Sequence, residues 1–233
     1  MLNLPNIITL INLFFGSCAL VAIFQGEYII GAIFIGISGF ADFFDGFAAR
    51  ILKTSSDMGR ELDSLADMVS FGVAPGLIFY KMLEPNFPDA PNYGVNWYAA
   101  PAFIITCFAC LRLAKFNLDT RQTDSFIGLN TPATTLFIIG LMLIWIYDSF
   151  GLGAIVGSPV FIYSMIGVLS FLLISEIPFF SFKLKSFGWK GNELRIILLG
   201  VALVEILILK EAALAMIILT YLLLSVFGFK KSP

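Results

Sequence analysis

The chain has 233 residues, 59% hydrophobic and only 13% charged, with a formal net charge of −2, and its mean hydropathy is +0.93. Soluble domains carry about 25% charged residues, so most of this surface faces an apolar medium, and the bilayer is the solvent that fits. The acidic balance argues against nucleic acid, whose backbone selects a basic excess. The sequence has no histidine. That removes His-ligated zinc, the Ser-His-Asp triad and imidazole acid–base chemistry, and leaves carboxylates, Lys, Arg or hydroxyls to do any catalysis.

In chain order, apolar stretches lie near 5–24, 29–50, 64–83, 97–116, 132–149, 156–177, 194–210 and 212–229. A span needs roughly 17–25 residues. Eight such stretches use most of the chain and predict an all-α integral membrane protein, a bundle of about eight transmembrane helices in one domain over 1–233. Only Lys210 and Glu211 separate the last two stretches. No basic residue precedes the first stretch, which is therefore expected to be a retained helix rather than a cleaved signal. Cys18, Cys107 and Cys110 all sit inside apolar stretches. One CxxC spacing without a second pair reads as packing rather than as a redox or metal site.

If the 50–62 connection is cytoplasmic and loops alternate, twelve of the 14 basic residues lie on that side, leaving only Lys81 and Lys210 outside. This bias places both termini in the cytoplasm of a cytoplasmic-membrane protein. It also puts the end of the second span and the start of the third on that face.

Those two helix ends carry unusual chemistry. A carboxylate at membrane depth costs several kcal/mol or more unless it is paired or functional. Here Asp42 and Asp45 lie i,i+3 on one face of the second span, and Asp63 and Asp67 lie i,i+4 on one face of the third. A short connection, Lys53-Thr54-Ser55-Ser56, makes the two helices antiparallel neighbours and lets the acidic faces converge. Four clustered carboxylates require cations at neutral pH. Oxygen ligands without His or Cys select Mg²⁺ or Mn²⁺, and two such ions balance four charges and suit phosphoryl transfer. Gly46, Ala49 and Gly59 allow a diphosphate or nucleotide close to the backbone, and Arg50, one turn beyond Asp45, has the reach to grip a phosphate. Small residues of this kind also serve plain helix packing.

The spacing Asp42-x2-Asp45-Gly46-x2-Ala49-Arg50-x8-Gly59-x3-Asp63-x3-Asp67 resembles the signature of the CDP-alcohol phosphotransferases. The resemblance implies packed transmembrane helices with an active site open to the cytoplasmic leaflet. Asp42, Asp45 and Asp63 would hold the metals, and Asp67 would join them and act as general base. Gly46, Ala49, Arg50 and Gly59 would line the CDP site. Pro5-Asn6 with Thr9 and Asn12 is similar to the family's first helix, where polar residues approach the nucleotide. A homodimer is also implied.

The signature leaves the acceptor alcohol open. The run Asp63 to Pro75, then Leu111-Arg112-Leu-Ala-Lys115-Phe-Asn117 and Phe126-Ile-Gly128-Leu-Asn-Thr-Pro132, resembles the bacterial and archaeal phosphatidylserine synthases, most densely over 1–135. Lys115 stands where Arg is common, and Leu129-Asn130 where Leu-Pro or Met-Pro is usual. That likeness implies CDP-diacylglycerol and L-serine as substrates in a membrane-lipid setting. Serine's carboxylate asks for a fixed cation, and Arg112, Lys115 and Arg121 are the candidates; positive-inside anchoring explains the same residues. A phosphate-bearing acceptor such as glycerol-3-phosphate, or a divalent-cation transporter built on the four acids, are the alternatives. Gly72 and Pro75 are expected to bend the third helix. Glu205 is expected to pair with Lys210 or face a neighbouring helix, and Glu176 to sit exposed at a helix end.

Overall fold

Capping side chains or prolines mark the starts of several of the described helices. The computed structural model describes residues 3–54, 56–90, 94–119, 125–180 and 192–228. Asn3 accepts a hydrogen bond from the Asn6 amide at 3.0 Å and Pro5 occupies the first turn, opening α1 (Leu4–Phe24). After a turn at Gly26, where φ is +85°, α2 (Tyr28–Leu52) runs back antiparallel and ends on Lys53 in the left-handed conformation. Ser56 then accepts from the Gly59 amide at 3.1 Å and starts α3 (Asp57–Asp67).

The α3 helix does not stop at Asp67. It passes through a π-helical turn (Met68–Val73) into α4 (Ala74–Leu83) and a closing 3₁₀ turn, giving one helical rod of 30 residues over Asp57–Asn86. The π turn sits where a bend was expected. Pro75 has no amide to donate, and a widened turn absorbs that defect. Gly72 lets Met68 pack closely there, since a Cβ would lie 2.9 Å from Met68 Sδ.

A 3₁₀ turn leads into α5 (Ile104–Leu118). Asn130 caps α6 (Thr131–Tyr147) by accepting from the Ala133 amide at 2.8 Å. A short α7 (Gly153–Val156) precedes α8 (Pro159–Ile174), and α9 (Glu193–Leu209) and α10 (Ala213–Leu223) complete the helices.

Each of the eight apolar stretches is thus found as helix. Four helices, Leu4–Phe24, Tyr28–Leu52, Asp57–Asn86 and Ala100–Leu118, are long and apolar enough to cross a membrane, while Thr131–Tyr147 and Pro159–Ile174 are shorter apolar helices. Large apolar side chains on the outer faces stay exposed, such as Leu118 at 84%, Leu207 at 80% and Val160 at 79%. That pattern suits a chain whose surroundings are hydrocarbon.

The interior is densest around α4 and α6, with Ile78, Phe79, Met82, Ile138 and Met142 fully enclosed. The α10 helix docks onto α6 at Gly140, where a Cβ would come within 2.4 Å of the Ala215 nitrogen; a residue without a side chain permits that approach. Glu205 on α9 faces the neighbouring helix rather than Lys210, its Oε1 accepting from Thr220 Oγ1 at 2.7 Å.

Two features depart from the sequence reading. A small antiparallel pair joins β1 (Ser125–Ile127) to β2 (Pro178–Phe180), so the chain is helical but not purely so. Three-residue strands are too short to leave an alternation signal. The second concerns cysteine: Cys107 and Cys110 are exposed and Cys18 partly buried. Three residues apart on α5, the first two share its outward face and do not pack the interior.

Candidate active site

The polar ends of α1, α2 and α3 meet around four carboxylates. Oxygen atoms of Asp42, Asp63 and Asp67 lie within 4.8 Å of one another. The fourth acid stands slightly apart. Thr9 Oγ1 donates to Asp45 Oδ2 at 2.5 Å, and Asp45 is buried against α1. The cluster expected from spacing is therefore three acids plus one, because Asp45 lies a turn further along α2, within reach of the α1 hydroxyl.

Asn12, expected near the nucleotide, is placed elsewhere. It is fully buried beneath the acids, and its Nδ2 donates to Asp67 Oδ1 at 3.1 Å. Ser70 Oγ donates to Asn12 Oδ1 at 2.7 Å, and Ser38 Oγ donates to its backbone carbonyl at 3.0 Å. Asn12 lines neither of the two cavities beside the acids and instead hydrogen-bonds Asp67 from beneath. The helix face decides this: Asn12 is three residues beyond Thr9 and one turn deeper, level with Asp67 and Ser70. Gly16 leaves the room, since a Cβ there would fall 2.1 Å from Ser70 Oγ.

Two cavities flank the acids, and Asp63 borders both. The first, about 140 Å³, is lined by Pro5, Asn6, Thr9, Asp45, Gly46, Ala49, Thr54, Ser56, Gly59, Arg60 and Asp63. Asn6, Thr9, Gly46, Ala49 and Gly59 thus come together as the sequence predicts. Gly59 fits closely: a Cβ would lie 3.2 Å from Asn6 Oδ1 and 3.3 Å from Ser56 Oγ. Arg50 is not part of this wall. It is exposed, with Nη1 beside Gly46 at 3.9 Å from where a Cβ would be. Arg60 takes the wall position and pairs with Asp57 one turn back. Ser56 and Arg60 were overlooked, although a Ser directly before Asp57 is a recognisable helix-start signal.

The second cavity, about 210 Å³, is lined by Asp42, Asp63, Ser64, Asp67, Arg112, Leu113, Phe116, Asn117, Asn130, Thr131 and Pro132. Arg112 is 4% exposed, its Nε donates to Leu129 O at 3.0 Å, and its guanidinium lies 5.3 Å from the Phe116 ring centre. Lys115 is not in this wall. Its Nζ pairs with Glu176 Oε1 at 2.5 Å and approaches Ile174 O at 3.4 Å, tying α5 to the end of α8. Glu176 is exposed, as expected of a helix end, yet it engages that lysine. Arg121 lies outside the described residues. Ser64, bonded to Asn117 Nδ2 at 2.9 Å, and Thr131 were also missed, since only the fold brings α3, α5 and α6 together.

A third, apolar cavity of about 490 Å³ opens between α2 and α6 and reaches Asp42.

Asp63 Oδ1 is buried and without a hydrogen-bond partner among the described residues. An unpaired carboxylate oxygen in apolar surroundings is costly unless a cation complements it. The three neighbouring acids supply only hard oxygen donors, so the site fits a hard divalent cation.

The family model for CDP-alcohol phosphatidyltransferase matches residues 2–176. A Bacillus subtilis protein named CDP-diacylglycerol–serine O-phosphatidyltransferase is 33% identical over 182 residues, covering 77% of this chain and 91% of its own length. A Helicobacter pylori protein of the same name is 30% identical over 203 residues, covering 86% and 81%. One from Methanocaldococcus jannaschii is 35% identical over 140 residues, covering 60% of each chain.

Proposed function

The chain belongs to the CDP-alcohol phosphatidyltransferase family, and from that premise we propose that it transfers the phosphatidyl group of CDP-diacylglycerol to L-serine, giving phosphatidylserine and CMP. The observation that carries this reading is Asp63, an acid with an unpartnered buried oxygen that forms the shared wall of two cavities. That arrangement lets one acid serve two substrates, one on each side.

Asp42, Asp63 and Asp67 would hold one divalent ion, Mg²⁺ or Mn²⁺, and Asp45 with Asp63 would help to hold a second. Bound there, the ions supply charge neutralisation for the diphosphate and for the oxygen on which CMP leaves. Asn6, Thr9, Gly46, Ala49 and Gly59 shape the space for the CDP head group, with Arg60 in the wall and Arg50 beside Gly46 as the available phosphate-binding cations. The apolar cavity between α2 and α6 is suited to the acyl region of the lipid. Arg112 faces the carboxylate of serine. Asp67, steadied by Asn12, takes the proton of the serine hydroxyl. The serine oxygen bonds to the β-phosphorus while the bond from that phosphorus to the CMP oxygen breaks, and CMP departs with the electron pair.

The reading extends to topology. The whole chain acts as one transmembrane domain of about eight crossings, with both termini and the acidic site on the cytoplasmic side. Lys81 and Lys210 sit at helix ends on the opposite side in this arrangement.

The test is CMP release from CDP-diacylglycerol by purified protein with Mg²⁺ or Mn²⁺, with product identified by mass. Release should require L-serine, vanish with EDTA, and fall by roughly 10²- to 10⁴-fold in Asp67→Asn. Release driven by glycerol-3-phosphate and not by serine would reassign the acceptor.

A further inference from the structure

The family match ends at residue 176, yet the chain beyond it is built into the acceptor side of the site. Tyr221 on α10 is completely buried and packs its ring against Phe180, 5.1 Å away and edge-on, and against Phe179 at 6.0 Å. A phenylalanine would keep those ring contacts. The hydroxyl adds a directed bond, donating to the Phe180 carbonyl at 3.1 Å.

Phe180 lies in β2, which pairs with β1 in the register Ser125 with Phe180 and Ile127 with Pro178. The backbone then continues through Gly128, whose amide donates to Ile177 O at 2.9 Å, to Leu129, whose amide donates to Leu172 O at 2.9 Å. Leu129 O is the acceptor for Arg112 Nε. Gly128 has φ +78°, and a Cβ there would lie 2.7 Å from Leu173 O, so this hinge admits only glycine. An arginine has much rotamer freedom to lose. A rigid carbonyl at its Nε fixes the plane of the guanidinium fork, and the remaining nitrogens can then meet a carboxylate in a set geometry.

We propose that Tyr221 is a positioning residue for the acceptor: by fixing the β2–β1 pair it holds Leu129, and through Leu129 it aims Arg112 at the second cavity. The proposal rests on the reading of Arg112 as the group that meets the serine carboxylate.

The experiment compares Tyr221→Phe and Arg112→Gln in the full-length protein, measuring kcat and the KM for L-serine and for CDP-diacylglycerol. Tyr221→Phe should raise the serine KM roughly 3- to 10-fold, the scale of one hydrogen bond, while kcat and the CDP-diacylglycerol KM hold. Should that variant fail to accumulate, Arg112→Lys keeps the charge but loses the Nε bond to Leu129 O and should raise the same constant. An unchanged serine KM there overturns the aiming role of Leu129. An unchanged serine KM in Tyr221→Phe, alongside a raised one in Arg112→Gln, overturns the positioning role and keeps the site. An unchanged serine KM in Arg112→Gln overturns both. Equal losses in kcat and both KM values in Tyr221→Phe would mean general loosening and would also overturn the proposal.

Discussion

The two cavities that meet at Asp63 are made in different ways. The first draws on three consecutive elements: the start of α1, the end of α2 and the start of α3, all within residues 5–63. Small residues and short hydroxyls make up much of its wall, beside Asn6, Arg60 and two acids, and it needs little beyond the first three helices and their connections. The second takes Asp42 from α2, Ser64 and Asp67 from α3, Arg112 and Asn117 from α5, and Thr131 from α6. Its one buried cation is held by a backbone carbonyl, and that carbonyl's position depends on a strand pair further along the chain. On the proposed function, the local cavity takes the part of the reaction shared by a whole family, the nucleotide and its metals. The assembled cavity is where acceptors can differ, because distant segments can vary without disturbing the acids.

Several substitutions can break or sharpen that contrast. Removing the shared wall should do the most: Asp63→Asn disables both sides together, lowering turnover by about 10³-fold or more and raising the metal concentration needed for half activity. Arg112→Gln should act on one side only, lowering kcat/KM for serine by roughly 10- to 100-fold, the scale of a charge-assisted bond. Asn12→Ala removes the support beneath Asp67. With Asp67 less well held, kcat should fall about tenfold with little change in either KM, readable in the same steady-state assay. Lys115→Ala should change least. Its ion pair with Glu176 is solvent-accessible and contributes under about 1 kcal/mol, so serine kinetics should stay within a factor of about two.

The same contrast explains what was legible in the sequence. Asp42, Asp45, Asp63 and Asp67 were visible because helix period alone puts each pair on one face, and a short connection forces the faces together. Gly46, Ala49 and Gly59 followed from the same register. Asn12 was assigned to the nucleotide because a polar residue on α1 can point to either side of the acids; its burial against Ser38 and Ser70 depends on how α1 packs, which spacing does not encode. Arg112 and Lys115 look alike in sequence, i,i+3 on one helix. They diverge because Arg112 turns inward to Leu129 while Lys115 meets Glu176, a residue 61 positions away. The π turn at Met68–Val73 was foreshadowed by Gly72 and Pro75, whereas the β1–β2 pair left no local trace.

The most direct measurement is a paired one: KM for CDP-diacylglycerol and for L-serine in Ala49→Leu and in Arg112→Gln, each purified and shown to be folded. Two cavities with separate tenants predict crossed results. Ala49→Leu fills the first cavity and should raise the CDP-diacylglycerol KM while the serine KM holds, and Arg112→Gln should do the reverse. If both variants shift both constants alike, or if Arg112→Gln shifts only the lipid substrate, the division of the site at Asp63 is wrong.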